Sequence, residues 1–245
     1  MDPLTPDDLE KWISDGHFAL FGEVPGQWWT EVGIPLLKVR ARGVLVTAFE
    51  PFGGETMNPT EAILGELPET VGSFALRKLL LPVEFVRALE TACAEYDRLR
   101  PAAVVMLGQA GGRSTVTVET TGKNVMNGRI PDNSGYEPHG EPVDENGPEK
   151  LFSSADVDGI VRAVSAAGIP CERSDDAGEY VCNALLYGML FHNGGKVPTV
   201  FIHVPYATEQ GHIDKPSMEI RDMTRASLAA IRSVTEQIES GIVGM

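Results

Sequence analysis

The sequence has few cysteines and no long apolar run. Only three of its 245 residues are cysteine, Cys93, Cys171 and Cys182, and none belongs to a Cys-x-x-Cys pair. Any disulfide scheme leaves one thiol unpaired, which favours a reducing compartment. No apolar stretch approaches the roughly 18 residues of a membrane span, and the acidic start MDPLTPDDLEKWISDG lacks the basic and apolar regions of a secretory signal. We therefore expect a cytoplasmic protein without a membrane partner.

Positive charge is also scarce. The 35 acidic residues outnumber the 20 basic ones, which gives a formal net charge of −15. Such a charge repels nucleic-acid phosphates and anionic lipid unless a local basic patch offsets it, and the sequence contains no basic run. It also lacks the two common phosphate-binding patterns, Gly-Lys-Ser/Thr and a Gly-x-Gly-x-x-Gly that opens a helix. We expect no nucleic-acid partner.

From residue 43 onward, strand patterns alternate with helix patterns. Short apolar segments such as VLVTAF and AAVVML are typical of buried strands, and segments with apolar residues at helical spacing separate them. This order predicts an α/β fold, a three-layer α/β/α sandwich around a mixed, mostly parallel sheet. The segment 122–150 is rich in Gly, Pro, Asn and Asp and is predicted to be a long loop of the kind that binds or covers a ligand.

The first 42 residues differ from the rest of the chain. They hold all three tryptophans, two of them side by side as Trp28 and Trp29, and a helix-start pattern at Thr5. We predict an N-terminal extension, 1–42, followed by one domain, 43–245. The extension is either a helix and loop that pack locally, which is more usual for an aromatic pair, or an arm that binds a partner.

Cys182 lies in GEYVCNALLYGML, between a glycine-led turn and an apolar segment of helical character. In the first turn of a helix, unpaired backbone amides and the helix dipole favour an anion and lower the pKa of a thiol. Cys182 is therefore a candidate nucleophile, although a lone cysteine among apolar neighbours is more often a core residue. Cys93, within an amphipathic segment, and Cys171, after a proline at a strand start, have no comparable setting.

A cysteine nucleophile needs a base and a group that orients the base. His203 lies inside the predicted strand TVFIHVPY, where it is either a core histidine bonded to backbone carbonyls or a catalytic base. Glu119 ends the strand STVTVE. Alone it would be read as a solvated strand-end acid, but active sites gather at the carboxyl ends of parallel strands. We expect Glu119 and His203 to meet there.

Two glycine-rich segments follow predicted strands. TAFEPFGG carries Phe49 and Phe52 ahead of paired glycines, and GQAGGR surrounds Gln109 with glycines. Such segments either let a ligand approach the backbone closely or form ordinary tight turns. The two phenylalanines favour an apolar slot over a phosphate site.

Six motifs in this order resemble one known family: VLVTAFEPFGG, GQAGGR, VTVE, RIPDN, GEYVCN and FIHVPY. Over about residues 43–240 the chain is similar to the pyroglutamyl-peptidase I, or pyrrolidone-carboxylate peptidase, family of cysteine peptidases, family C15. The resemblance implies a thiol-dependent omega-peptidase that removes an N-terminal pyroglutamyl residue from peptides through a thioester. It also implies no metal or organic cofactor, and a homo-oligomer that is a tetramer or a dimer. The alternative is a catalytically silent relative that binds pyroglutamyl or otherwise capped peptides.

The resemblance assigns roles to individual residues. It makes Cys182 the nucleophile, His203 the base and then the acid, and Glu119 the residue that orients the histidine. The residues it implies for substrate binding are Phe49, Phe52, Gln109, Arg129, Ile130 and Val181. After Glu119 this chain has Thr-Thr-Gly where many relatives carry a basic residue followed by apolar ones, and residues 1–42 have no counterpart in short members of the family.

Overall fold

A computed structural model describes residues 43–241, and the features predicted for residues 1–42 lie outside this range. The described residues form five α-helices: α1 (Pro59–Glu66), α2 (Phe85–Leu99), α3 (Val157–Ala166), α4 (Val181–Asn193) and α5 (Ile220–Glu239). Seven strands form the central sheet, in the spatial order β10 (Cys171–Ser174), β5 (Val116–Glu119), β11 (Thr199–Val204), β4 (Ala103–Gln109), β1 (Gly43–Phe49), β3 (Phe74–Leu81) and β2 (Thr70–Val71). All described residues fall within one compact unit, Arg40–Met245.

The sheet is mixed and mostly parallel, as predicted. Strands β11, β4, β1 and β3 run parallel to one another, and β10 runs parallel to β5. The exceptions are β5, which is antiparallel to β11, and β2, which is antiparallel to β3. Strands β1 and β11 are buried along their whole length, which agrees with their nearly continuous apolar sequences.

Helices cover both faces of the sheet and enclose two apolar cores. On one face α1, α3 and α5 pack against residues such as Val200 and Ile202, and on the other α2 and α4 pack against residues such as Phe201. Because side chains alternate along a strand, β11 contributes to both cores. The predicted three-layer α/β/α architecture is thereby confirmed. Among residues 43–241, no helix is both long and apolar enough to cross a membrane.

The segment predicted as one long loop contains short strands. Antiparallel pairs form between β6 (Thr121–Lys123) and β9 (Lys150–Phe152), and between β7 (Met126–Asn127) and β8 (His139–Glu141). Asn183 of α4 anchors this segment, because its side chain accepts a hydrogen bond from the Lys123 amide at 2.8 Å and donates to the carbonyls of Lys123 and Val125.

The chain after β11 also differs from the prediction. Apolar residues at helical spacing from Ile220 to Ile238 predict a long helix from about Pro216. In the structure Ser217–Met218 form strand β13, which pairs with β12 (Tyr206–Ala207), and α5 begins at Ile220. This detour places Tyr206 beside the site described next.

Candidate active site

A cavity of about 640 Å³ lies where the ends of β4 and β11 meet the start of α4. It brings together most of the residues singled out in the sequence. Those that line it are Phe52, Gln109, Arg129, Ile130, Cys182 and His203. Glu119, Phe49 and Val181 are buried behind its wall.

Glu119 and His203 form a buried pair. Oε1 of Glu119 lies 2.8 Å from Nδ1 of His203, and both side chains are almost inaccessible to solvent. The expectation that they meet at the shared carboxyl ends of parallel strands is wrong, because β5 runs antiparallel to β11. In the observed register Glu119 pairs with Phe201 and His203 pairs with Thr117. The two side chains therefore meet as diagonal neighbours on one face of an antiparallel pair.

The Glu119 carboxylate has further partners. Its Oε1 lies 2.6 Å from Nη1 of Arg113 and accepts a hydrogen bond from Oγ1 of Thr117 at 3.2 Å. Burial acts to raise the pKa of Glu119, but the hydrogen bond and positive charge of His203, a hydrogen bond from Ser174 and the charge of Arg113 outweigh it and lower that pKa. Glu119 is thus ionised at neutral pH and suited to holding the Nδ1 proton of the histidine.

Cys182 is the second residue of α4. The first amides of a helix have no intrahelical acceptors, and the side chain of Tyr180, the residue before the helix, does not bond them. Gly108 of β4 makes room for the thiol, since a Cβ there would lie 3.0 Å from Sγ of Cys182 and 2.6 Å from the ring of Phe201.

The pKa of Cys182 differs from the sequence expectation. A helix start was expected to lower it, but burial, followed by the charge of Glu119, raises it to about 12, against the smaller opposing effects of Arg113 and the Cys182 backbone amide. The thiol is therefore neutral at rest. It needs a base to take its proton before it can act as a nucleophile.

The rest of the cavity combines aromatic and amide groups. The ring of Phe52 lies 6.1 Å from that of Tyr180 between centroids, and Tyr180 packs edge-on against Phe85. The buried Oε1 of Gln109 has no hydrogen-bond partner. Phe49 lies deeper, with its ring 6.5 Å from that of Phe201.

Arg129 and Ile130 lie on an exposed turn that Asp132 holds in place. Oδ2 of Asp132 accepts a hydrogen bond from the Phe85 amide, at the start of α2, at 2.9 Å. Oδ1 accepts from the amides of Ser134 and Tyr136 and from the Ser134 hydroxyl. The Asp132 carboxylate thus caps α2 and also fixes the turn that carries Arg129 and Ile130.

Arg113, Asp132 and Asn183 were not assigned by sequence reasoning. Asp132 belongs to the RIPDN motif, Asn183 follows Cys182 in GEYVCN and Arg113 ends GQAGGR, so each lies in a motif that the sequence analysis quotes. Within the described part of the chain, no group of three or more His, Cys, Asp or Glu side chains is arranged to hold a metal ion.

The fold and site define a class of protein. A cysteine at a helix start, a histidine in the same cavity and a buried carboxylate behind that histidine, all on an α/β/α sandwich, are typical of enzymes with a cysteine nucleophile. A family model described as pyroglutamyl peptidase, Peptidase C15, matches residues 42–237, and the chain belongs to this family. The resemblance drawn from six motifs is confirmed.

Individual relatives agree with this assignment. The pyrrolidone-carboxylate peptidase of Thermococcus kodakarensis is 42% identical over 201 residues, which cover 80% of this chain and 97% of the relative. Pyrrolidone-carboxylate peptidase 1 of Caldanaerobacter subterraneus is 38% identical over 79% of this chain and 98% of the relative. The solved pyrrolidone carboxyl peptidase from Thermococcus litoralis matches with a TM-score of 0.79 and 31% identity, over 83% of this chain and 98% of that one.

Proposed function

We propose that this protein is a pyroglutamyl peptidase that hydrolyses the bond after an N-terminal pyroglutamyl residue, with Cys182 as nucleophile. The observation that carries the proposal is the buried pair of His203 and Glu119, 2.8 Å apart, whose histidine lines the same cavity as Cys182. Membership of the pyroglutamyl peptidase family and the names of the relatives support the substrate class.

The chemistry follows from the ionisation of the three side chains. Because Nδ1 of His203 is bonded to Glu119, Nε2 is the nitrogen that takes the proton from the neutral thiol of Cys182. The sulfur attacks the pyroglutamyl carbonyl, and the unpaired amides at the start of α4 stabilise the oxyanion. The histidine then gives its proton to the leaving amine and activates a water that hydrolyses the thioester.

The cavity suits a lactam better than a charged amino terminus. A pyroglutamyl residue has no ammonium group, so aromatic and amide partners replace the carboxylate that an ammonium would need. Phe52 forms an apolar wall, and the unpaired Oε1 of Gln109 accepts the lactam N–H. Phe49 and Val181 support the pocket from the core behind it, while Arg129 and Ile130 contact the substrate at the rim.

Hydrolysis of a fluorogenic pyroglutamyl amide tests the proposal. We expect turnover by the reduced wild type, loss of turnover in Cys182→Ser and His203→Ala, and none on the matching prolyl amide, which lacks the lactam carbonyl. Cys93→Ser and Cys171→Ser are the matched thiol controls and retain activity. A folded, reduced wild type that binds the amide without cleaving it would instead support a silent binding protein.

Three associated predictions stand beside this proposal. They are a cytoplasmic location, assembly as a homotetramer or homodimer, and an N-terminal extension over residues 1–42 outside the catalytic domain 43–245. Peptides with an N-terminal pyroglutamate are the proposed partners, and the proposed chemistry uses no cofactor.

A further inference from the structure

The guanidinium group of Arg113 joins three parts of the site. Nη1 lies 2.6 Å from Oε1 of Glu119 and also donates to Oγ1 of Thr117. Nη2 donates to the backbone carbonyl of Asp176 at 2.7 Å. Asp176 belongs to the turn between β10 and α4, the turn that leads to Cys182. Arg113 thus bonds both the Glu119 carboxylate, which orients the histidine, and the turn that leads to Cys182.

We propose that Arg113 is a positioning residue that holds the Glu119 carboxylate, and through it His203, fixed relative to the turn before Cys182. This role rests on the function proposed above. Oε1 of Glu119 accepts from both His203 and Arg113, so the cation balances the buried negative charge at the same oxygen that holds the histidine. Without it the carboxylate would keep His203, Thr117 and Ser174 as its partners, and burial would be opposed less strongly in favouring the neutral acid.

The geometry requires arginine rather than any cation. The planar guanidinium reaches a carboxylate with one nitrogen and a carbonyl with the other, and its fork presents these donors in a fixed arrangement. The ammonium of a lysine is a point charge on a flexible stem. It can neutralise Glu119, but it cannot bond Glu119 and the Asp176 carbonyl at the same time in the same geometry.

The charges around Arg113 determine the effect on pH dependence. Glu119 of β5 contacts it directly, and its Nη2 is bonded to the backbone of Asp176. His203 of β11 and Cys182 of α4 line the same cavity. Asp176 is paired with Lys123 at 2.9 Å and so adds little net charge.

Arg113 acts in the same direction on two groups. It helps to lower the pKa of Glu119, and it opposes the burial and the carboxylate charge that raise the pKa of Cys182. When Arg113 is replaced by a neutral residue, both pKa values rise. An ionised Glu119 and a thiolate at position 182 then both require a higher pH.

The test compares Arg113→Gln and Arg113→Lys with Arg98→Gln, which breaks an exposed ion pair with Glu95 on α2. One readout is the pH dependence of kcat/KM on the pyroglutamyl amide. The other is the pH dependence of Cys182 alkylation by iodoacetamide, measured with Cys93 and Cys171 replaced by serine, which needs no turnover.

For Arg113→Gln we expect the acid limb of kcat/KM to move upward by about one pH unit, the lower end of what a neighbouring cation contributes. The alkylation profile moves in the same direction. Arg113→Lys retains the positive charge, so its pH profiles move less than those of Arg113→Gln, but its kcat is lower than that of the wild type. The profiles of Arg98→Gln coincide with those of the wild type. In a Glu119→Gln background, Arg113→Gln costs little more, because its main partner is already gone.

Several outcomes overturn the role of Arg113. One is an Arg113→Gln variant that folds and leaves both pH profiles unchanged, and another is an Arg113→Lys variant with the kcat of the wild type. The third is an Arg113→Gln change that lowers kcat/KM as much in the Glu119→Gln background as in the wild type. Should Arg113→Gln fail to fold, Arg113→Lys decides through kcat and the alkylation profile. A wild type that cleaves no pyroglutamyl amide, while alkylation still shifts in the variants, removes the proposed function and leaves the positioning role standing.

Discussion

Gly108 shows how a single hydrogen atom in place of a side chain shapes the site. It lies in β4 beneath the thiol of Cys182 and against the ring of Phe201, in the core that α2 and α4 cover. A methyl group at this position would enter space that the ring and the sulfur already occupy. The glycine is needed for this close approach, not for an unusual backbone conformation, because its φ is not positive.

We predict that Gly108→Ala lowers kcat/KM at least tenfold and destabilises the protein by about 1–3 kcal/mol, the usual cost of overpacking a core. The added Cβ would lie 2.6 Å from the Phe201 ring and 3.0 Å from Sγ of Cys182, so the thiol must shift. Kinetics and urea unfolding measure the two effects. Gly65→Ala is the matched control, because a Cβ on that exposed position of α1 meets nothing within 4 Å. Equal behaviour of the two variants would show that Gly108 has no packing role.

At the scale of elements, the start of α2 depends on a residue that is distant in sequence. Glu84, which precedes the helix, makes no side-chain capping bond, and the Phe85 amide is capped instead by Asp132 from the turn that carries Arg129 and Ile130. Burial alone would raise the pKa of Asp132, but hydrogen bonds from Ser134 and from the amides of Phe85, Tyr136 and Ser134 lower it.

We predict that Asp132→Ala costs about 1–2 kcal/mol of unfolding free energy, the usual loss for a removed helix cap. It also raises KM more than it lowers kcat, because the turn at the rim of the cavity loses its anchor while Cys182 and His203 keep theirs. The stabilisation by the carboxylate is full above the ordinary aspartate pKa and is lost as pH falls through its lowered pKa. Unfolding at pH 7 and at acid pH, with Ser134→Ala to isolate the hydroxyl bond, tests this. An unchanged KM would show that the helix cap formed by Asp132 does not affect substrate binding.

The elements also show what the sequence could predict. The sequence predicts strands β1, β4 and β11 and the helix start before Cys182, because burial on both faces and helix-start chemistry leave local patterns. It does not predict the direction of β5, because a four-residue strand takes its orientation from its connections and its pairing. Strands of two or three residues, such as β7 and β13, are too short to show alternation. The raised pKa of the Cys182 thiol is caused mainly by burial. Segments distant in sequence produce this burial, so the local helix-start pattern does not predict it.

At the scale of the whole molecule, the relatives align with only part of the chain. Curated relatives align over about 200 residues that cover 98% or 97% of their own length but only 79% or 80% of this chain. The family model likewise begins at residue 42. Proteins of this family therefore fold without a segment corresponding to most of residues 1–42.

We predict that a chain of residues 43–245 folds by itself and retains the kcat/KM of the full chain. Both apolar cores of the sandwich, the buried pair of Glu119 and His203, and the helix start at Cys182 are built within this range. Thermal unfolding followed by circular dichroism, together with kinetics on the pyroglutamyl amide, measures the outcome. The matched control removes residues 1–20 only. A truncated chain that folds but loses turnover would place part of the active site in residues 1–42, and one that fails to fold would make the extension part of the catalytic domain.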